Sequence, residues 1–542
     1  MQIKGNIVDI VNKRIFSGVI TIEDGKITKV EKKGGEIEND KYILPGLIDS
    51  HVHIESSMLT PSRFAEVVVP HGTVAVVSDP HEIANVLGMD GIDYMRKDAK
   101  QTSLKVFFTA PSCVPATPFE TAGANLDANA IEELLKQDDV VALGEMMDFP
   151  SVINNDKDVM KKIEIAKSYG KPVDGHCPAL TGNALKKYVA AGISTEHECT
   201  TLKEAREKAK LGMKIMIREG SSAKNMLSLI SLAKEGYECF LVSDDKHPED
   251  LVKGHINLML RKAVSLGLDT IKAIRMVTIN PVKHYNIPVG LLQENDSADF
   301  IVVNDLKDFK VLQTWIDGEN VAENGKALFS VDSIRGGNTI KLKEKEPRDF
   351  VIRAKNSTKV NVIKAIEGQI ITKRGEAELR VDNGKFICDL HNDTLKIAVV
   401  ERYGHNRLSI AFVSEFGLKK GAIASSIAHD SHNIIVIGTN DDEMALAVNT
   451  IKKIGGGIVA VADNKIEKLE LPIAGLMSTE SVKTVNERLS AVHKTVKNMG
   501  CKLSSPFTTM SFMALPVIPE LKITDKGLFD VGKFQFIDLF VK

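Results

Sequence analysis

Between residues 44 and 285, short apolar runs alternate with stretches that carry helix signals, and this alternation restricts the fold more than any other feature of the chain. The runs fall at 44–48, 74–77, 106–108, 140–143, 172–173, 193–195, 214–217 and 239–242. Each is too short for a helix with a buried face. The segments between them start and stop as helices do. Thr201-x-x-Glu204 is a capping box opening an amphipathic run that stops at Gly212, and 225–234 ends before Gly236 in the same way. Asp269 can cap 270–277 ahead of Asn280-Pro281. Strand, helix and strand in repetition mean parallel strands. Eight of them suggest an α/β fold, a closed (β/α)8 TIM-like barrel over 45–284, with its working residues at the carboxyl ends of the strands.

The flanks of this region read differently. Residues 2–40 alternate apolar and polar side chains, and Asp24-Gly25 between two alternating runs is a hairpin signal. A second segment of the same kind, 298–304 and 311–318, follows residue 285. The two flanks are expected to pair into a small split β-sandwich domain, 1–44 with 285–345. From 346 to 542, strand-like runs at 396–400 and 433–438 mix with helical stretches at 442–454 and 478–499, which predicts a C-terminal α+β domain. Gly455-Gly456-Gly457 follows the first of these helices and caps it, since no Lys-Ser/Thr follows to make a phosphate loop. His429-Asp430-Ser431-His432 reads as a turn whose polar side chains bond locally, because two histidines and one carboxylate are few for a metal site.

The residues just past the apolar runs are chemically uniform. His51 and His53 end the first, and alternation along a strand turns both imidazoles the same way. Glu145 follows the fourth, His176 the fifth, His197 the sixth and Asp244 the eighth. Neutral imidazole and carboxylate are metal ligands, and six donors exceed the needs of one tetrahedral ion. They suit two divalent ions sharing a bridging carboxylate and a bridging hydroxide. Mixed nitrogen and oxygen donors fit manganese, iron or zinc. A net charge of -2, with 70 Lys and Arg against 72 Asp and Glu, gives no basic excess for a nucleic-acid partner, so a small-molecule substrate is expected. No apolar stretch has the length of a membrane span, and charges interrupt the first forty residues where a signal peptide would be apolar, which places the protein in the cytoplasm. The six cysteines lack Cys-x-x-Cys pairing and read as reduced thiols.

The stretch Pro45-Gly46-Leu47-Ile48-Asp49-Ser50-His51-Val52-His53, the split β module and this order of ligands resemble the amidohydrolase superfamily of metal-dependent hydrolases. Glu55-Ser56-Ser57-Met58, Ser78-Asp79-Pro80-His81-Glu82, Ala110-Pro111-Ser112-Cys113-Val114-Pro115-Ala116, Val173-Asp174-Gly175-His176, Ile217-Arg218-Glu219-Gly220 and Val242-Ser243-Asp244-Asp245 resemble the adenine deaminases within it. The likeness runs nearly end to end, except that some members carry a longer segment ahead of the β module. It implies hydrolytic deamination of adenine to hypoxanthine and ammonia in purine salvage, favours manganese, and implies a homodimer. Cyclic-amide hydrolases of the dihydroorotase or hydantoinase type resemble one another in a carboxylated lysine on the fourth strand, where this chain has Glu145. The other kind of nucleobase deaminase uses Pro-Cys-x-x-Cys, which is absent here.

Attack at C6 needs a base for the attacking water and an acid for ring nitrogen N1. Asp244 is the expected proton shuttle as well as a ligand, and Glu219 and Glu82, each after a strand run, are the candidate acids. Arg218 and Ser112 are expected to read the purine edge. Asp245 is placed to orient His176 or His197, while Glu196, Glu198 and His255 read as solvent-facing or structural.

Overall fold

Each apolar run is a strand in the computed structural model, which describes residues 1–33, 41–221, 223–354 and 357–541. In order they are Leu47–Val52, Thr73–Ser78, Lys105–Ala110, Val140–Met146, Val173–Gly175, Thr195–Glu196, Lys214–Arg218 and Cys239–Val242. The first five form one parallel sheet in sequence order and the last three another. Parallel bridges join the two sheets at both ends, Val173 to Ile193 and Val52 to Asp244. At the second junction Asp244 N–H donates to His51 C=O at 3.0 Å, so the curled run of strands returns to its own beginning.

The intervening helices start where the caps predict. Thr201 Oγ accepts Glu204 N–H at 3.3 Å and opens Leu202–Lys210, and Asp269 accepts Lys272 N–H at 2.9 Å and opens Thr270–Met276. The expected return bond of the capping box is different. The Glu204 carboxylate turns to Ala179 N–H at 2.9 Å and to Lys208, because a buried ammonium competes for it better than the helix terminus does.

Gly46 marks a close approach at the entry to the parallel strands. A Cβ there would lie 2.3 Å from Val74 Cγ2 and 2.4 Å from Cγ1, so the step from the flanking sheet into Leu47–Val52 has room only for hydrogen.

The two flanks meet in a single eight-stranded hydrogen-bonded sheet, and a bridge from Lys26 to Ser297 brings its early and late segments together again. Its order is Lys326–Ala327, Glu319–Glu323, Val311–Ile316, Phe300–Val303, Tyr42–Pro45, Gln2–Asp9, Arg14–Glu23 and Lys26–Lys32. Phe300–Val303 pairs antiparallel with Tyr42–Pro45, which joins the late segment to the early one. Asp24 and Gly25 both take positive φ, 48° and 77°, as a tight hairpin turn requires. The end of the alternating segment, 34–40, lies outside the described residues.

The chain divides into two compact units, one of Met1–His81, Asp93–Cys113 and Leu126–Ser333, the other of Glu82–Ile92, Val114–Asn125 and Ile334–Lys542. The second therefore recruits short pieces from the βα loops in addition to the C-terminal third. Its centre is a mixed eight-stranded sheet with the strand order Lys373–Glu378, Lys359–Lys364, Leu408–Ser414, Thr394–Val400, Ile434–Gly438, Ala422–Ser425, Gly457–Ala462 and Lys465–Glu470. Helix Asp441–Ile454 starts on the Asn440 cap and ends at Gly455, whose φ of 77° is the left-handed value the sequence anticipates. The second long helix, Val482–Asn498, is capped by Ser481, three residues inside the expected start at 478. Among the described residues no helix is long and apolar enough to cross a membrane.

Replacing Gly46 by Ala should destabilise the protein by about 1–3 kcal/mol through overpacking, and Val74→Ala in the same chain should restore most of it. Urea unfolding of the single and double variants measures both effects.

Candidate metal centre

The ends of five parallel strands deliver the six predicted ligands to one place. His51 ends its strand and His53 follows it, with ring centroids 5.0 Å apart. Asp244, just past Cys239–Val242, adopts a left-handed φ of 57°, which an aspartate tolerates better than most residues and which departs from the extended strand. Glu145 stands between two groups of histidines. Its Oε1 lies 3.3 Å from His53 Nε2, and its Oε2 lies 2.8 Å from His176 Nδ1 and 3.2 Å from His197 Nε2. Asp244 Oδ1 is 3.3 Å from His53 Nε2 and 3.7 Å from His51 Nε2.

These donors fit divalent metal. His51 Nε2 is buried and has no hydrogen-bond partner, an arrangement that is costly for an imidazole with nothing to bind. His176 Nδ1 and His197 Nε2 face each other at 3.3 Å, close to the spacing of two nitrogens about 2.0–2.1 Å from a shared tetrahedral ion. His53 Nδ1 lies 3.1 Å from Asp79 C=O, which can only accept, so Nδ1 carries a proton and Nε2 is the atom turned to the carboxylates. Burial, together with the nearby His197 and His53, pushes the His51 pKa down to about 4, which keeps it a neutral ligand. For Glu145 burial opposes ionisation, but the charge of His197 and hydrogen bonds from His176, His197 and His53 hold its carboxyl well below the usual range.

Arg218 does the same for Asp244. Burial opposes that carboxylate's charge, the guanidinium is the largest opposing influence, and the pKa lies well below the ordinary value. Arg218 Nη1 is 2.6 Å from Asp244 Oδ2, while its fork grips Glu198 at 2.5 and 2.7 Å. The backbone is gripped as well. Asp79 Oδ2 accepts Glu145 N–H at 2.9 Å, and a Cβ on Gly144 would lie 2.3 Å from that oxygen. Asp49 Oδ1 accepts Ser243 N–H at 3.1 Å and Oδ2 takes the Ser243 hydroxyl, tying the residue before Asp244 to the first strand.

The other candidate residues have side-chain partners of their own. Glu219 is no exposed acid: Oε1 accepts Met226 N–H at 3.0 Å and Oε2 pairs with Lys262 at 2.5 Å. Arg218 has its fork on two carboxylates, Glu198 and Asp244. Ser112 donates its hydroxyl to Glu145 C=O at 2.6 Å. Asp245 accepts from Ser56 Oγ at 2.5 Å and groups with His53 and Asp244, away from the role assigned to it beside His176 or His197. Glu196 and His255 are fully buried, so of the two readings the solvent-facing one fails.

Glu82 lies in the second unit with His429 and His432. His429 Nδ1 is 2.6 Å from Glu82 Oε1, and His432 Nε2 donates to Oε2. The His432 proton is fixed by Ala428 N–H, which donates to its Nδ1 at 3.2 Å and leaves Nε2 to carry hydrogen. The reading of these histidines as a locally bonded turn is thus corrected: their partner is 350 residues away from His432. Burial opposes charge on Glu82, and the two histidines hold its pKa well below the usual range.

Two contributors escaped the sequence reading. The His81 ring lies 4.6 Å from that of His53, and its Nδ1 is 3.5 Å from Glu145 Oε1. It comes after the second strand run just as the other ligands come after theirs, and the strand-end rule would have found it. Glu198, whose Oε1 is 3.8 Å from His176 Nδ1 and 3.7 Å from His197 Nε2, has no such signal, because its role depends on Arg218 from the next strand.

Comparison with known proteins agrees with this geometry. Residues 42–321 match the amidohydrolase family and residues 369–535 the adenine deaminase C-terminal domain. The adenine deaminase of Methanosarcina barkeri is 51% identical over 547 residues, with 99% of each chain covered. That of Methanosphaera stadtmanae is 49% identical over 543 residues and that of Borreliella burgdorferi 46% over 546, again with 99% of each chain covered. The chain belongs to the amidohydrolase family and, within it, to the adenine deaminases. The C-terminal match falls within the second unit and covers His429 and His432.

Arg218→Ala should cost about 3–5 kcal/mol in urea unfolding of the metal-free protein, because two buried carboxylates lose their cation together. Arg218→Lys, which keeps the charge without the fork, should recover only part of it.

Proposed function

We infer that the parallel strands form a closed (β/α)8 barrel holding two divalent ions, and that this centre carries out hydrolytic deamination of adenine to hypoxanthine and ammonia. The observation that supports the site most directly is Glu145, a carboxylate whose two oxygens face separate histidine groups. The near-complete likeness to adenine deaminases supports the substrate. His51, His53 and Asp244 would hold one ion, His176 and His197 the other, with Glu145 shared between them. Manganese is the metal we favour, with iron and zinc as the alternatives of the same donor chemistry. When bound, such ions supply a water acidic enough to act as nucleophile at neutral pH and a clamp on the reacting atoms.

The remaining work falls to side chains. Asp244, ionised beside Arg218, accepts the proton of the attacking water and passes it towards the amino group leaving C6 as ammonia. His81, next to Glu145 and His53, occupies the same strand-end position as the ligands and is a candidate contact for the substrate or the centre. For protonation of N1 we favour Glu82 over Glu219. Glu219 is committed to Lys262, whereas Glu82 directly follows His81 in the chain and, held ionised by two imidazoles, can relay a proton from them.

Purified protein supplied with manganese should release ammonia from adenine and leave cyclic amides intact; the reverse pattern would make it a cyclic-amide hydrolase. Glu145→Gln should lose metal and activity together, read by elemental analysis beside the assay. Glu82→Gln should lower kcat by about 10²–10⁴-fold with the metal retained, and Glu219→Gln should act mainly on stability.

A further inference from the structure

Behind the two histidines of the second ligand group lies a charge cluster that the reaction does not use. Glu196 ends the sixth strand, one residue before His197, and its side chain is wholly buried, as is that of Lys208. Glu196 Oε2 accepts the N–H of Cys177, the residue after His176, at 2.9 Å. Its Oε1 accepts the N–H of Glu198, the residue after His197, at 2.5 Å. One carboxylate therefore grips the backbone immediately beyond both ligands. Lys208 balances it at 3.2 Å and also donates to Glu204 Oε1 and to Cys177 C=O, each at 2.7 Å. An ammonium has three N–H donors, and here three acceptors meet them. Glu204 adds a further grip on the same loop through Ala179 N–H at 2.9 Å.

We propose that Glu196, balanced by Lys208, is a positioning residue for the metal centre, holding the His176 and His197 backbones so that their nitrogens converge on one ion. The proposal rests on the reading that His176, His197 and Glu145 hold metal. The physical basis is the cost of a buried charge: Glu196 stays ionised in a dry site only with its cation and its two N–H donors in place, so the arrangement tolerates little displacement. A carboxylate on the backbone of two ligand loops then acts at a distance, as partners of ligands commonly do, where their loss costs about 10–100-fold in metal affinity. The effect is also selective. Glu196 touches neither His51 nor His53, whose strand is set by Asp49 and by the Asp244 junction.

The test is stepwise removal of metal from the manganese-loaded full-length protein with a graded chelator, the protein-bound manganese being counted by elemental analysis. Glu196→Gln should release one ion at a chelator concentration about 10–100-fold lower than wild type and the other at the wild-type concentration. Lys208→Arg, which keeps the charge but not the ammonium geometry, should fall between them. If Glu196→Gln does not fold, Glu196→Asp, which keeps the charge on a shorter stem, carries the same comparison. Release of both ions at wild-type concentrations overturns the proposal. So does release of both together in step with a lowered Tm of the metal-free variant, because that is the signature of lost stability alone. A wild-type protein that retains no divalent metal would instead overturn the reading of the site itself.

Discussion

The backbone hydrogen bonds between Asp244 and the first parallel strand decide where everything else can be. Asp244 N–H donates to His51 C=O, and His53 N–H reaches back to Asp244 C=O at 3.4 Å. A few residues of contact bring together ligands from opposite ends of the parallel run, and Asp49 with Ser243, 194 residues apart, adds a side-chain lock beside them. Short parallel strands make this junction available because each ends at the same edge of the sheet. Were the run open, His51 and His53 would have no Asp244 opposite them, and Glu145 would face one histidine group and not two.

Assembling so many ionisable groups out of water sets a second requirement. An isolated buried carboxylate costs several kcal/mol, so each one near the centre carries its own compensation. Asp244 and Glu198 share Arg218; Glu196 and Glu204 share Lys208; Asp79 takes Glu145 N–H and Asp49 takes Ser243 and His255. In Glu196 and Glu204 the oxygen that meets the ammonium also accepts a backbone N–H from the loop after His176. The shell that keeps the charges tolerable is thereby the shell that fixes the ligands, and rigidity at the site follows from electrostatic necessity as much as from packing.

The C-terminal third contributes in the same language. His429 and His432 close on Glu82, a residue from the loop after the second parallel strand. The two imidazoles hold the Glu82 carboxyl well below its usual range, so the cluster is an ion pair. The second unit thus holds its borrowed βα-loop segment by a buried ion pair, a bond across hundreds of residues that a reading confined to local turns cannot reach.

How much of this was legible beforehand depends on the range of the interactions involved. Strand ends are local events: an apolar run stops, the chain turns, and the next polar residue stands at the edge, so His51, His53, Glu145, His176, His197 and Asp244 could be read in order. The same rule reaches His81, which stands inside a longer motif. The fold class was legible for the same reason, because alternating strand and helix lengths leave few ways to bury both faces of a sheet. What the side chains at these ends are bonded to was not legible. The bond of Glu219 to Lys262, 43 residues on, and those of Arg218 to Glu198 and Asp244 have no signal in the local sequence. The order of residues along the chain dictates which donors arrive at one edge of the sheet. Which of them pair with each other is settled in three dimensions, because pairing depends on distances between strands that no spacing along the chain encodes.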